Sequence, residues 1–272
     1  MQTQYIQHEG GQIAYEDHGG HGPLILMTPG IGDIRNVYRF LAPALAEAGY
    51  RAVTMDLRGH GQSSVGWGEY TPHAVGRDML ALIGELNGGP AVLMGASMAA
   101  ASAVWAAVEA PHLVAALICI GPSLRDPQLS ALQRLMVSAI TSGPWKVSAW
   151  CTFYRGLHPA RQPDDLADHI ARLRVNLTEP GRYASLRAFM QASKAACTVR
   201  MAAVTQPALV VMGSRDPDYI DPAAEATWMS ETLHGEHRIV IDSGHYPHAD
   251  APDEVMSLAL PFLKQVPYLL NE

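Results

Sequence analysis

The sequence predicts an α/β fold: a mostly parallel, doubly wound sheet with an all-helical segment inserted into it. Three observations point there. Short apolar runs of strand length, such as Leu24 to Met27, Ala91 to Met94 and Ala208 to Met212, alternate with stretches of helical periodicity. That alternation marks a parallel sheet covered on both faces. Strand-like runs then vanish between about Ser123 and Val204, where helical stretches follow one another directly, and resume afterwards. The expected division is a core of residues 1–122 and 205–272 around a helical insert of residues 123–204.

At 272 residues, with 48% hydrophobic and 17% charged residues, the chain is long enough to bury one sizeable core. A formal net charge of -7, with no run of Lys or Arg, argues against nucleic acid as a partner. Cys119, Cys151 and Cys197 lie far apart without metal-ligand spacing, so a reducing, cytoplasmic compartment is expected. The first residues have neither a basic start nor an apolar core and do not read as a signal peptide. The alanine-rich run after Ser97 is too weakly apolar for a membrane span.

In order, Gln4 to His8 and Gln12 to Glu16 read as a hairpin around Glu9-Gly10-Gly11. Leu24 to Met27 is the first buried strand and ends in Thr28-Pro29-Gly30-Ile31-Gly32-Asp33. A helix over Val37 to Ala48 follows, with Pro43 either kinking it or moving its start toward Ala42. Arg51 to Met55 is a strand, Pro72 to Leu86 a helix, Ala91 to Met94 a strand, and Leu113 to Ile120 another strand. The insert holds expected helices at Gln128 to Ser142, Pro144 to Tyr154, Asp164 to Asn176 and Arg182 to Ala195. Ala208 to Met212 and His237 to Ile241 resume the sheet around a helix at Ala223 to Leu233. A last helix, Pro252 to Lys264, precedes a tail, Gln265 to Glu272.

The chemistry centres on Gly95-Ala96-Ser97-Met98-Ala99, where a strand turns sharply into a helix with serine at the apex. Such a turn strains the serine and sets its hydroxyl beside the first amides of the helix. A serine hydroxyl needs a base, and the base needs an acid to orient it. The strand ending at Met212 runs into Gly213-Ser214-Arg215-Asp216, and the strand ending at Ile241 into Asp242-Ser243-Gly244-His245. Ser97, Asp216 and His245 thus fall in loops on one sheet edge, in the order serine, acid, histidine. Asp218 and Asp221 are competing acids, but Asp216 comes soonest after its strand. His248 is a competing base farther from the strand end, and His60 reads as a turn residue. No cysteine or carboxylate completes a metal set with His245 and His248, so neither metal nor cofactor is expected. Of two backbone donors for an oxyanion, Met98 supplies one. The loop after the first buried strand supplies the other at Ile31, because Pro29 has no amide hydrogen.

These landmarks, together with Asp56-Leu57-Arg58-Gly59-His60-Gly61-Gln62-Ser63, resemble the α/β-hydrolase fold family along almost the whole chain. The resemblance implies Ser97 as nucleophile, His245 as base, Asp216 as its orienting acid, and Ile31 and Met98 as oxyanion donors. It also implies that the insert is a lid. Two positions depart from the common pattern: Pro29 stands where histidine is usual, and Ala99 replaces a glycine. Trp145, Trp150, Phe153, Tyr154, Met190 and Tyr246 are candidate substrate contacts, although most bulky lid residues are expected to pack the lid onto the core. Arg125, Arg155 and Arg187 are alternative carboxylate binders. The function expected is hydrolysis of a small, largely apolar carboxylic ester or lactone through an acyl-enzyme. A slow-turnover ligand receptor, or a carbon–carbon bond hydrolase using the same triad, is the alternative. The expected partner is a small-molecule substrate, with no membrane and the oligomeric state left open.

Overall fold

The structure, a computed structural model, describes residues 2–128 and 130–267. Eight strands form one sheet: β1 (Gln4–His8), β2 (Gly11–Asp17), β3 (Leu24–Thr28), β4 (Arg51–Met55), β5 (Ala91–Ala96), β6 (Val114–Ile120), β7 (Ala208–Gly213) and β8 (Glu236–Val240). Their spatial order is β1-β2-β4-β3-β5-β6-β7-β8; β1 and β2 are antiparallel and the other six run parallel. The opening turn has positive φ at Glu9 and Gly10, as a two-residue hairpin loop requires.

The continuous apolar runs follow from burial on both faces. In β3, Leu24 and Leu26 join one core while Ile25 and Met27 join the other, and Leu209 and Val211 alternate with Val210 and Met212 in β7. The first core lies under α2 (Pro72–Glu85), α3 (Met98–Glu109) and α9 (Pro222–Thr232); the second lies under α1 (Leu41–Glu47), the short α10 (Pro247–Asp250) and α11 (Pro252–Leu263). Thr71 Oγ1 and Asp221 Oδ1 cap α2 and α9 by accepting from Ala74 N and Ala224 N, and a proline opens each helix.

The helices α4 (Ala131–Ile140), α5 (Lys146–Gly156), α6 (Leu166–Thr178), α7 (Arg182–Gln191) and α8 (Ala195–Thr198) all lie between β6 and β7. Of the stretch expected at Gln128 to Ser142, residue 129 lies outside the described residues, as do residues 268–272 of the tail.

Two expected helices and two strand ends differ. The Val37 to Ala48 stretch is a 3-10 turn, Arg35–Tyr38, followed by α1, with Pro43 in the first turn where no amide partner is lost. The Arg182 to Ala195 stretch breaks in two because Asp126 takes the chain over: its carboxylate accepts from Ser193 Oγ at 2.5 Å and Lys194 N at 2.7 Å. The strand expected from Leu113 begins at Val114, after a 3-10 turn at Pro111–Leu113. Strand β5, by contrast, runs on to Ala96, directly against Ser97.

Among the described residues no helix is long and apolar enough to cross a membrane. Strand β5 and α3 cross closely. A methyl added at Gly95 would lie 2.6 Å from the carbonyl carbon and oxygen of Ala99 and 2.7 Å from Ala100 N, all backbone atoms that cannot turn aside. Gly95→Ala is therefore expected to cost about 1–3 kcal/mol of unfolding free energy. Urea unfolding followed by circular dichroism would measure it, and an unchanged midpoint would contradict the crossing.

Candidate active site

Ser97 bridges β5 and α3 with φ 53° and ψ -124°, a conformation that side-chain-bearing residues rarely adopt. Its backbone is held on both sides. Ser97 N donates to Ile120 O at 2.9 Å, and Ser97 O accepts from Ala100 N at 3.1 Å and Ser123 N at 3.0 Å. Such over-determination is what lets a strained residue persist.

The Asp216 carboxylate, just past β7, accepts at Oδ2 from His245 Nδ1 at 2.8 Å, and both side chains are buried. A carboxylate only accepts, so Nδ1 carries the hydrogen and Nε2 is the basic face. The end of β6 brings this pair to Ser97. Ile120 O holds the serine amide, while a methyl on the adjacent Gly121 would stand 3.5 Å from His245 Nδ1. Ser97 Oγ itself hydrogen-bonds to no group among the described residues; such bonds commonly tighten only around substrate.

The competing residues have other work. Asp221 caps α9. His248 is fully buried, its basicity pushed down to about 3 by that burial, and it stacks on Tyr38 with ring centroids 4.6 Å apart. Asp218 does share the site: its Oδ2 lies 3.7 Å from His245 Nδ1, and its amide donates to Asp216 Oδ1 at 3.0 Å. Burial alone would lower the imidazole pKa, but the Asp216 and Asp218 carboxylates raise it to about 9. Asp216, Asp218 and His245 also place one ligand atom each within 4.8 Å of one another, the grouping among the described residues that could hold a metal ion. With Nδ1 engaged by Asp216, its chemistry fits an acid–histidine pair.

The loop after β3 is pinned from below and above. Burial lowers the His60 pKa to about 4, so the ring is neutral; Nδ1 donates to Arg58 O and Nε2 accepts from Gly32 N at 3.0 Å. The Gly32 amide is thus consumed. The amides of Ile31 and Met98 donate to no group among the described residues. From above, Trp150 Nε1 donates to Gly32 O at 3.0 Å and Tyr154 Oη to Asp33 Oδ2 at 2.7 Å. His169 Nε2 meets Asp33 Oδ1 at 2.8 Å.

Asp33, His169 and the His158–Asp250 pair are contributors that the residue pattern did not single out. Asp250 accepts from Ser243 Oγ, Gly244 N and His158 Nδ1, and His245 N donates to Leu157 O, so the histidine loop is anchored as firmly as the glycine loop. Asp33 followed a recognisable Pro-Gly-Ile-Gly, which is a usable signal. His158 and His169 sit in helical sequence that shows nothing of their partners.

Of the expected substrate contacts, Trp150, Tyr154 and Tyr246 are buried against this loop, and half-buried Met190 packs with Trp150, Tyr183 and Leu186. Trp145 and Phe153 are 57% and 49% exposed. Helix α5 turns Trp150, Cys151 and Tyr154 inward, which leaves Phe153 on its outer face. Arg125 is paired with Glu225 and stacks on Trp228, while Arg155 and Arg187 are exposed. Ser97 is 8% exposed. A cavity of about 340 Å³ opens between Ser142, Lys146, Tyr183 and Arg187, and neither Ser97, Asp216 nor His245 lines it.

A sequence model of the alpha/beta hydrolase fold matches residues 23–252. The chain belongs to that family. A Mycobacterium tuberculosis protein provisionally named non-heme bromoperoxidase BpoC is 27% identical to the hydrolase over 263 residues, covering 93% of this chain and 98% of that protein. The 3-oxoadipate enol-lactonase 1 of Acinetobacter baylyi is 21% identical over 262 residues, 90% of each chain. Among solved structures, a Bacillus anthracis bromoperoxidase superposes with a TM-score of 0.82 at 18% identity, covering 97% of the hydrolase and 100% of that chain. A thermophilic esterase from Thermogutta terrifontis reaches 0.78 at 23% identity, covering 98% and 99%.

The histidine makes the hydrolase's stability depend on pH. The folded value of about 9 lies above the ordinary 6.5. Its stabilising contribution is therefore complete below pH 6.5 and lost as pH rises through 9. Urea unfolding between pH 6 and 10 should show that decline, and Asp218→Asn should move it to lower pH. A decline unmoved by that substitution would remove Asp218 from the account.

Proposed function

We propose that the chain is a serine hydrolase that cleaves a small, largely apolar carboxylic ester or lactone through an acyl-enzyme on Ser97. The observation that supports this reading most is the buried Asp216–His245 hydrogen bond beside a serine held in a strained strand-to-helix turn. Relatives bearing the names enol-lactonase and esterase, and a structural neighbour described as degrading N-acyl homoserine lactones, lie in the same direction.

In this mechanism His245 Nε2 takes the Ser97 Oγ proton as the oxygen attacks the substrate carbonyl carbon. The carbonyl oxygen becomes an oxyanion held by the amides of Ile31 and Met98. Collapse breaks the bond to the leaving oxygen, which receives the proton from His245. Water then repeats the sequence on the acyl-serine, releasing the acid and restoring Ser97. Asp216 orients His245 through Nδ1 and stabilises the imidazolium. In a lactone both products come from one molecule, so ring opening leaves the alcohol tethered to the acyl group until water arrives.

Residues 123–204 act in this reading as a lid over Ser97, with Trp150, Tyr154, Met190 and Tyr246 supplying an apolar wall. Neither metal nor cofactor is required, and the partner is the small substrate itself. Hydrolysis of a carbon–carbon bond would use the same triad and differ in its products.

The test is intact-mass analysis after exposure to a fluorophosphonate, with turnover measured on short-chain aryl esters and lactones. One adduct per wild-type chain and none on Ser97→Ala is expected, with kcat/KM falling about 10³-fold or more in the variant. The reactive form has neutral His245, so kcat/KM should climb with pH toward a plateau above about 9. Labelling of Ser97 without turnover would favour a ligand receptor. A folded chain that takes no adduct would overturn the serine mechanism.

A further inference from the structure

We propose that the Tyr246 hydroxyl is a catalytic hydrogen-bond donor, a third contact to the oxyanion beside the amides of Ile31 and Met98. This inference rests on the serine-hydrolase reading above and assigns a chemical role within it. Tyr246 follows His245 directly and is 2% exposed. Its ring is fixed on several sides: stacked on Tyr154 at 5.4 Å, edge-on to His245 at 4.9 Å and edge-on to His248 at 5.7 Å. Tyr154 is itself tied to Asp33 through its hydroxyl.

The position of the Tyr246 hydroxyl is measured by Gly30. A methyl added there would stand 3.0 Å from Tyr246 Oη, 3.5 Å from Ser97 Oγ and 2.9 Å from Ser97 Cβ. The phenol and the nucleophile therefore converge on one small space beside the backbone of Gly30, the residue immediately before Ile31. A tetrahedral carbon on Ser97 with its oxygen toward Ile31 N would bring that oxygen to the same region.

The donor is also uncommitted. Tyr38 Oη donates to Thr28 O and Met94 O, and Tyr154 Oη to Asp33, whereas Tyr246 Oη bonds to no group among the described residues. Unlike the sealed, partnerless hydroxyl of Tyr183, this oxygen keeps some solvent contact, so it is open to the space it shares with Ser97 and can turn to a ligand there. Burial keeps this phenol protonated at any pH where His245 works, so it donates and does not accept a proton from Ser97. A fixed donor aimed at developing charge in a water-poor site acts mainly on the transition state.

Tyr246→Phe removes the hydroxyl and keeps the ring and its stacking. Rates are expressed per chain titrated by the fluorophosphonate, so that any unfolded fraction drops out. The variant is expected to lose about 10²-fold in kcat, with KM within about two-fold. A trifluoromethyl ketone inhibitor, which places an oxyanion on Ser97 without turnover, should weaken by a similar factor. If kcat per titrated chain and the inhibition constant both stay within about two-fold of wild type, the assignment is overturned, even where the melting temperature falls. If the wild-type chain takes no adduct at Ser97, the hydrolase reading fails instead, and this role fails with it.

Discussion

The carboxylate of Asp33 is where the sheet and the inserted helices are joined. It is fully buried, and desolvation by itself would favour the neutral acid. The imidazole of His169, the hydroxyl of Tyr154 and the amide of Ile34 reverse that balance and hold it below the ordinary carboxylate range. A buried charge satisfied from three directions gives a specific geometry more than it gives stability. Here that geometry sets the height of α5 and α6 above the loop that ends β3. Remove the charge, and Tyr154 loses its acceptor, so the ring stacked on Tyr246 loses its anchor. The contacts around Ser97 are therefore supported from a residue that does not itself touch it.

A second clamp mirrors the first. Helix α5 meets the glycine loop through Trp150 and Tyr154, and its C-terminal end meets the histidine loop through Leu157 O and His158. One helix of the insert thus spans the two loops whose separation a triad depends on. Arg39 and Asp165 pair across the neighbouring boundary, and Asn176 exchanges two hydrogen bonds with Gly61. These polar contacts with loops give direction to an attachment that apolar side chains also make, since Cys151, Leu157, Leu166, Ile170 and Leu173 of the insert join the second core and Phe189 and Cys197 the first.

What could be read in the chain beforehand follows from the range of the forces involved. Strands β3, β5 and β7 were legible because burial on two faces writes an uninterrupted apolar run into local sequence. The turn at Ser97 was legible because close crossing of a strand and a helix demands small residues within one short stretch. The break between α7 and α8 was not, since it depends on Asp126, which reaches back across the chain to Ser193 and Lys194. The same applies to His169 and His158, whose partners are 136 and 92 residues away. Phe153 shows the opposite limit: hydrophobicity alone does not carry the phase of α5, which buries Trp150, Cys151 and Tyr154 and leaves Phe153 half exposed.

The double fastening of α5 bears on how such a protein can be redesigned. Side chains on α5 serve two masters, since a change that shifts the helix displaces the glycine loop and the histidine loop together. Adaptation to a new substrate is better sought on α4, where Leu132, Leu135, Met136 and Ile140 stand in solvent, and on α7, where Met190 is only half-covered. Within one insert, the chain thus separates a helix whose displacement disturbs two loops from helices that are tied to neither by a hydrogen bond among the described residues.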